Sequence, residues 1–264
     1  MLTLVIGNKN YSSWSMRPWL ILRALDIPFN EVMLKFHSAE WDANIAHYSP
    51  SKLVPVLWDG GGTRKGDGEG TRKGDGEGTR KGDGEGTREG DGEVGGANSI
   101  CVWESNAIYE YLAERFPDKN VWPTDAKARA YARAIVAEMH AGFRPLRTSM
   151  PMNIRARFPG LGMNDDVAKN IARIEALWQE ARVRFGVPAG TGPFLFGKFS
   201  AADAMFAPVV MRFMTYSPKL SAAAEAYCAA VRAHVSVAAW VAAALAETEF
   251  VAEDEPYASS HAKK

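Results

Sequence analysis

Residues 2–26 read LTLVIGNKNYSSWSMRPWLILRALD. The apolar run Leu2–Ile6 ends at Gly7 and predicts a buried strand. Arg17–Leu25 carries apolar side chains at helical spacing, and Pro18 is tolerable in the first turn of a helix. The stretch therefore predicts a strand, a polar loop and a helix, and this unit decides the fold.

The polar loop, Tyr11-Ser12-Ser13-Trp14-Ser15, leads into the N-terminus of the predicted helix. Unpaired backbone N–H groups and the positive end of the helix dipole favour an anion at that position, and a serine hydroxyl can donate a further hydrogen bond to it. A thiolate suits such a site, because lowering a thiol pKa by one unit requires only about 1.4 kcal/mol. The alternative for each serine is an ordinary N-cap.

Alternating strands and helices continue to about residue 116. We predict a strand at Phe29–Leu34, a helix at Ala39–His47, a hairpin from Pro55–Trp58 and Ser99–Trp103, and a helix at Asn106–Arg115. With the first unit this gives βαβαββα, which is an α/β domain.

A break at residues 116–123 ends the alternation, and only helical patterns follow it. They cover Asp125–Leu146, Asp165–Phe185, Ala201–Tyr216, Ala222–His234 and Val235–Ala246. We expect two domains, residues 1–119 and an all-helical bundle at residues 120–264. Ser200-Ala-Ala-Asp203 follows the logic of a capping box, and we interpret it as a folding signal without chemistry.

Residues 62–93 consist of one octapeptide written four times, as GTRKGDGE three times and then GTREGDGE. They contain half of the 24 glycines and almost no apolar side chain, so they cannot bury enough surface to order themselves. Calcium binding is the functional alternative, but calcium-binding β-helix repeats have another period and an apolar core position. We expect a solvated insertion at the hairpin tip, where additional chain costs little stability.

Composition limits the function classes. Hydrophobic residues make up 47% of the chain, and 31 basic residues balance 31 acidic ones, which argues against nucleic acid as the main partner. The two cysteines, Cys101 and Cys228, match neither a metal spacing nor a disulfide framework. Residues 1–7 are too short for a secretory signal and Val235–Leu245 is too short to span a bilayer, so we expect a cytoplasmic protein without a membrane or nucleic-acid partner.

Two further loops carry candidate binding groups. The Val54-Pro55 bond precedes a predicted strand and is a candidate cis peptide, which would present the Val54 backbone to an extended peptide. Glu104-Ser105 begins the third predicted helix, where Ser105 is either an ordinary N-cap or part of a carboxylate site. Glu104 can accept from an ammonium group, and a γ-glutamyl end carries both an ammonium and a carboxylate group.

These loops give the sequence a family resemblance. The blocks SSWSMR at 12–17, VPVL at 54–57, ESNAIYEYL at 104–112, WPTDAKARA at 122–130 and SAADA at 200–204 resemble the soluble glutathione S-transferases over nearly the whole chain outside residues 62–93. The first block looks most like the serine-type SSCSWR motif of the zeta class and its bacterial relatives. The resemblance implies a thioredoxin-like N-terminal domain, an all-helical C-terminal domain, a homodimer and a role in detoxification.

The resemblance also implies roles for individual residues. Ser12 would stabilise the glutathione thiolate, with Tyr11, Ser13 and Ser15 as alternatives. Val54 and Pro55 would hold the cysteinyl backbone, and Glu104 with Ser105 the γ-glutamyl end. Lys52 and His37 are further candidate glutathione ligands, although this chain has Lys52-Leu53 where family members often have Gly-Lys.

One departure from the zeta motif bears on the chemistry. Trp14 stands where that motif has cysteine, which argues against thiol–disulfide exchange because no nucleophilic cysteine is near the first helix. We expect an apolar electrophile site between the domains, lined by Met139, His140, Phe143 and Arg147, with core packing as the alternative for Met139 and Phe143. Arg144 and Arg147 are candidates for attracting an anionic substrate.

The sequence therefore predicts a glutathione transferase that stabilises the thiolate for addition to, or displacement on, an apolar electrophile. Glutathione is the co-substrate, and no metal is required. One alternative is a glutathione-dependent isomerase of the maleylacetoacetate type, which returns glutathione unchanged. Another is a non-catalytic binding protein with the same fold.

Overall fold

The computed structural model describes residues 1–60 and 99–258. In its first half the elements are β1 Leu2–Ile6, α1 Ser13–Ala24, β2 Phe29–Met33, α2 Ala39–Tyr48, β3 Val56–Asp59, β4 Ile100–Trp103 and α3 Ser105–Arg115. The predicted βαβαββα order is confirmed. The insertion predicted at residues 62–93 lies outside the described residues.

Within these residues the strands form a four-stranded sheet in the order β2-β1-β3-β4. β1 is parallel to β2 and antiparallel to β3, and β3 pairs antiparallel with β4. Val5 is paired with Val56, and Val56 with Trp103, so the end of β1, the beginning of β3 and the end of β4 share one edge. We call the polar loop Tyr11–Ser15 the serine loop. It therefore lies at the same edge of the sheet as the Val54-Pro55 turn and Glu104.

The helix α1 begins four residues earlier than the apolar spacing predicts. Ser12 is its N-cap, and the Ser12 carbonyl accepts the first helical bond, from the Met16 N–H. Pro18 consequently lies inside the helix and not in its first turn. Because proline has no N–H, it cannot donate to the carbonyl four residues before it, which is that of Trp14.

The second half contains the helices α4 Ala126–Ala141, α5 Arg144–Ser149, α6 Asp165–Ala181, α7 Val187–Ala189, α8 Ala201–Tyr216, α9 Ala222–Ala233 and α10 Val235–Ala246. The helix predicted at Asp125–Leu146 is two helices, because the chain leaves helical geometry at Gly142 and Phe143 has a φ of 58°. The helix predicted at Asp165–Phe185 ends as an α-helix at Ala181 and continues as a π-helical turn to Gly186.

The core of the second half is built around α8, which is buried along nearly its whole length and packs against α1 and α4. The Asp203 carboxylate accepts a hydrogen bond from the Ser200 backbone N–H, and the Ser200 side chain accepts from the Asp203 backbone N–H, so the predicted capping box is present. Among the described residues no single helix is long and apolar enough to cross a membrane; α9 and α10 pass that test only as a pair, which is bent by 74°.

Candidate active site at the sheet edge

The three predicted loops meet around one cavity at the shared edge of the sheet. Its volume is about 250 Å³. The described residues that line it are Trp14, Ser51, Leu53, Val54, Pro55, Glu104, Ser105 and His140. Sequence elements more than 80 residues apart thus contribute to a single pocket, and four of the six predicted glutathione ligands are in its wall.

The Val54-Pro55 peptide bond is cis, as the sequence suggested. Val54 is half-buried in the cavity wall, whereas Pro55 is buried against the sheet. The turn comes directly before β3, whose antiparallel pairing with β1 fixes its position. An extended peptide lying in the cavity would run alongside the backbone of Val54.

Ser105 connects the serine loop to α3. Its hydroxyl donates a hydrogen bond of 3.0 Å to the carbonyl of Trp14, and the side chain is fully buried. Pro18 has no N–H to donate to that carbonyl within α1, so the Ser105 hydroxyl supplies the missing hydrogen-bond donor. The proline and the serine together hold the N-termini of α1 and α3 side by side at the cavity.

Glu104 has an unusual backbone, with a φ of 69° and a ψ of 124°. This conformation directs the chain from β4 into α3 and leaves the Glu104 side chain 55% exposed at the cavity. One carboxylate oxygen lies 3.6 Å from Nε2 of His140, whose ring packs edge-to-face on Trp14. Burial lowers the pKa of His140, and the neighbouring Glu104 opposes that effect.

The serine loop is closed by hydrogen bonds between its own members. The hydroxyl of Ser12 donates to Oγ of Ser15 over 2.7 Å and accepts from the Ser15 N–H. Oγ of Ser15 accepts from the N–H of Gly7, where a Cβ atom would come within 2.5 Å of the Phe36 ring. Both serines are buried, and of this loop it is Trp14 that reaches the cavity wall within the described part of the chain.

Two of the three alternatives to Ser12, Tyr11 and Ser13, have their hydroxyl partners elsewhere. The hydroxyl of Tyr11 donates to Oε1 of Glu255 over 2.6 Å and accepts from Arg155. Burial and the Glu255 carboxylate raise the pKa of Tyr11. Oγ of Ser13 accepts a hydrogen bond of 3.4 Å from Arg212. Neither side chain is among the described residues that line the cavity.

The two remaining candidate glutathione ligands are not part of the cavity wall. Lys52 is exposed, with a φ of 57°. His37 is exposed as well, and its Nε2 lies 3.5 Å from a carboxylate oxygen of Glu253. These positions give no direct support to a role for Lys52 or His37 in binding.

The predicted electrophile residues divide into two pairs. Met139 and Phe143 are buried in the core, which favours packing. His140 lines the cavity, and the guanidinium carbon of Arg147 lies 5.1 Å from the centroid of the Trp14 ring. Arg144 is exposed to solvent.

Sequence reasoning missed the segment 247–257, which crosses the N-terminal loop. The Glu247 carboxylate accepts from the backbone N–H groups of Lys9 and Asn10, over 2.6 and 3.0 Å. Arg155 donates to the carbonyls of Glu247 and Glu249. No local sequence pattern predicts these contacts. The acidic residues between 247 and 255 are the one sequence feature that could have indicated them.

Comparisons with known proteins agree with this geometry. Residues 11–115 match the family model of the glutathione S-transferase N-terminal domain. No curated protein matches the chain by sequence.

Three solved structures show the same fold at low sequence identity. A glutathione transferase homolog from Burkholderia GL BGR1 with bound glutathione is 18% identical, with a TM-score of 0.57 over 92% of this chain and 97% of that one. Glutathione transferase Omega 2S from Trametes versicolor, in complex with 2,4-dihydroxybenzophenone, is 19% identical, with a TM-score of 0.59 over 99% and 98%. A diazinon-metabolizing glutathione S-transferase from the silkworm Bombyx mori is 15% identical, with a TM-score of 0.60 over 93% and 98%.

The predicted fold class is thereby confirmed: a thioredoxin-like domain with a mixed four-stranded sheet within the described residues, followed by a mostly helical part. Residues 11–115 thus match the glutathione S-transferase N-terminal domain, and the solved structures support the fold. The serine-type, zeta-like subclass and the domain boundary near residue 119 stay predictions.

Proposed function

We propose that this protein is a glutathione transferase. The observation that carries the proposal is the cavity itself, which unites the Val54-Pro55 turn, Glu104 and Ser105 beside the N-terminus of α1. Val54 would pair with the cysteinyl backbone of glutathione. Glu104 would accept from its ammonium group, and the N-terminus of α3 at Ser105 would bind its γ-glutamyl carboxylate.

In this proposal Ser12 stabilises the thiolate. Its hydroxyl proton now points to Ser15, and a small rotation would direct it to a sulfur at the N-terminus of α1. Ser15 could then donate to Ser12 in return, so that two hydroxyls share the stabilisation of one negative charge. The thiolate attacks an electrophilic carbon, and a carbon–sulfur bond forms as a leaving group departs or as the neighbouring carbon takes up a proton.

Glutathione binding tests the first part of the proposal. We expect glutathione to bind the wild type and the variants Glu104→Gln and Ser105→Ala each to weaken it about tenfold, which corresponds to about 1.4 kcal/mol in titration calorimetry. Glu110→Gln is the matched control, because Glu110 lies on the same helix in an exposed ion pair with Arg133. No glutathione binding by the wild type would refute the proposal.

Thiol consumption tests the second part. A transferase removes free thiol in step with the electrophile, whereas an isomerase converts its substrate with no net loss of thiol. Glutathione binding without turnover of either kind would identify a binding protein. A cytoplasmic location and a homodimer complete the proposal, and light scattering at micromolar concentration measures the oligomeric state.

A further inference from the structure

Three arginines converge on the buried side of the serine loop. The guanidinium carbons of Arg17 and Arg147 lie 3.9 and 5.1 Å from the centroid of the Trp14 ring. Arg212 reaches Oγ of Ser13 from helix α8. Arg17 is fully buried, and Arg212 is 4% exposed. We call Arg17, Arg147 and Arg212 the arginine cluster.

The two most buried members of the arginine cluster have few partners. Arg17 donates from Nε to the Met205 carbonyl over 3.2 Å, and its two terminal nitrogens have no partner within the described residues. Arg212 donates to the Pro208 carbonyl and to Ser13, over 3.3 and 3.4 Å, and its Nε is likewise without a partner there. Most of the donors of these two groups are therefore unused.

No ion pair within residues 1–60 and 99–258 joins the arginine cluster to a carboxylate. Arg147 donates to the carbonyls of His140 and Gly142. Asp254 attracts Arg212 electrostatically without forming an ion pair with it, and burial raises the pKa of Asp254 itself to about 6.

The electrostatics of this arrangement require a compensating charge. Burial lowers the pKa of Arg17 to about 9 and that of Arg212 to about 10. Arg147 disfavours the charge on both, and Arg212 disfavours the charge on Arg17. Arg17 and Arg212 nevertheless remain charged at neutral pH, because both pKa values lie well above 7. Buried charges in folded proteins are normally paired, because an unpaired one costs several kcal/mol. An anion at the arginine cluster would remove that cost.

We propose that the arginine cluster is the subsite for a carboxylate group of the electrophilic substrate, reached past the Trp14 indole from the glutathione cavity. Guanidinium groups bind carboxylates through paired hydrogen bonds, and the unused donors of Arg17 and Arg212 can supply them. The half-buried Arg147 and the half-buried Trp14 form the wall through which the carboxylate would enter.

This inference rests on the proposed function and adds a substrate class to it. Trp14 lines the cavity, but no member of the arginine cluster is among the described residues that do so. The carboxylates of glutathione would therefore be bound elsewhere, and the cluster serves the second substrate. The preferred electrophile thus combines an apolar reactive carbon with a carboxylate group.

Ethacrynic acid and its methyl ester form a pair of probes that differ in this carboxylate alone. In both, the thiolate sulfur bonds to the terminal alkene carbon, the alkene electrons move to the ketone as an enolate, and the α-carbon takes a proton from water. We expect the wild type to favour the acid, and the acid-to-ester ratio of kcat/KM to fall about tenfold in Arg147→Gln and in Arg212→Gln. The KM for glutathione should change less than twofold.

Arg144→Gln is the matched control, because it removes one positive charge from the same helix, α5, at an exposed position. We expect it to leave the acid-to-ester ratio within twofold of the wild type. Equal losses in Arg144→Gln and Arg147→Gln would show general attraction by positive charge and would overturn the subsite. A ratio unchanged in Arg147→Gln and Arg212→Gln would overturn it as well.

A binding measurement separates this inference from the proposed function. The saturated analogue of ethacrynic acid cannot react, and we expect titration calorimetry to show that it binds the wild type at least tenfold more tightly than it binds Arg212→Gln. If the wild type binds this probe but turns over neither electrophile, the proposed function fails and the carboxylate subsite stands. Binding of sulfate with the same arginine dependence, and no preference for acid over ester, would show an inorganic anion site and overturn the inference.

Discussion

Ser12 and Tyr11 are neighbours in the chain, but their side chains serve different parts of the molecule. Ser12 caps α1, whereas the Tyr11 hydroxyl holds Glu255 and Arg155. We expect Tyr11→Phe to lower the free energy of unfolding by about 1–3 kcal/mol, because it breaks hydrogen bonds to charged groups. The thiol pKa of bound glutathione should not change in this variant. Urea unfolding and thiolate absorbance measure the two effects, and a raised thiol pKa in Tyr11→Phe would assign the stabilising role to Tyr11.

Glu104 combines backbone strain with a position in the cavity wall. A non-glycine residue in a sparsely populated region of positive φ costs about 1–3 kcal/mol, and such strain often persists at functional sites. We expect Glu104→Gly to be about 1 kcal/mol more stable than Glu104→Gln, after allowing for the greater freedom of glycine in the unfolded state. Both variants should bind glutathione about tenfold more weakly. Equal free energies of unfolding for Glu104→Gly and Glu104→Gln, measured in urea, would contradict the backbone strain at Glu104.

Residue types in the loops were sufficient to select half of the cavity wall as described. Val54, Pro55, Glu104 and Ser105 were predicted from turn and helix-start chemistry and line the cavity. The partner of Ser105 was not predictable, since the Trp14 carbonyl becomes available only because Pro18 lies inside α1. That relation depends on where the helix begins, and the apolar spacing placed its start four residues too late.

The start of α8 depends on one buried carboxylate. Asp203 accepts from the N–H groups of Ser200 and Leu195 and from the hydroxyl of Tyr227, yet burial raises its pKa to about 6. Its ordinary value, 3.8, applies to the unfolded chain. Between these values the native state binds more protons than the unfolded state does, so the free energy of unfolding falls as pH rises from about 4 to about 6.

We expect this contribution to change by roughly 3 kcal/mol over that range, at about 1.4 kcal/mol per pKa unit. Asp203→Asn cannot titrate and keeps every other carboxyl group, including Asp254. The excess stability of the wild type over Asp203→Asn in urea unfolding should therefore be larger at pH 4.5 than at pH 7. An excess that is equal at both values, or larger at pH 7, would rule out the raised pKa.

Helix ends were predictable where the sequence carries capping chemistry. The helix at Ala201–Tyr216 was predicted with the observed bounds, because Ser200 and Asp203 mark its start. The helix predicted at Asp125–Leu146 was too long. Its apolar spacing continues past Gly142, but the left-handed conformation of Phe143 separates α4 from α5 there. Apolar spacing alone does not predict such a break between two helices.

At the scale of the whole molecule, the repeats at residues 62–93 belong to the segment of sequence that connects β3 to β4. Asp59 pairs with Ile100 at the loop end of the β3–β4 hairpin, and the N–H of Gly60 donates to the Met1 carbonyl. We expect deletion of residues 62–93 to change the free energy of unfolding by less than about 1 kcal/mol, because loop-closure entropy depends weakly on length. Turnover should stay within twofold, and loss of either property would give the repeats a function.

Long-range contacts mark the limit of sequence reasoning for this chain. Glu247 binds the N–H of Lys9 across 238 positions, and Arg17 from α1 meets Arg212 from α8 beside the serine loop. The apolar periodicity of a helix or strand predicts which of its faces is buried, but not which distant element packs against that face. The fold class and three loops of the site were therefore predictable, whereas the C-terminal segment and the arginine cluster were not.

The central claim is that Ser12 stabilises a glutathione thiolate at the N-terminus of α1. Thiolate absorbance of bound glutathione, recorded against pH for the wild type and Ser12→Ala, tests it most directly. We predict a thiol pKa at least one unit below the ordinary value of about 8.5 in the wild type, and a rise of at least one unit in Ser12→Ala. The same thiol pKa in both proteins would contradict the claim.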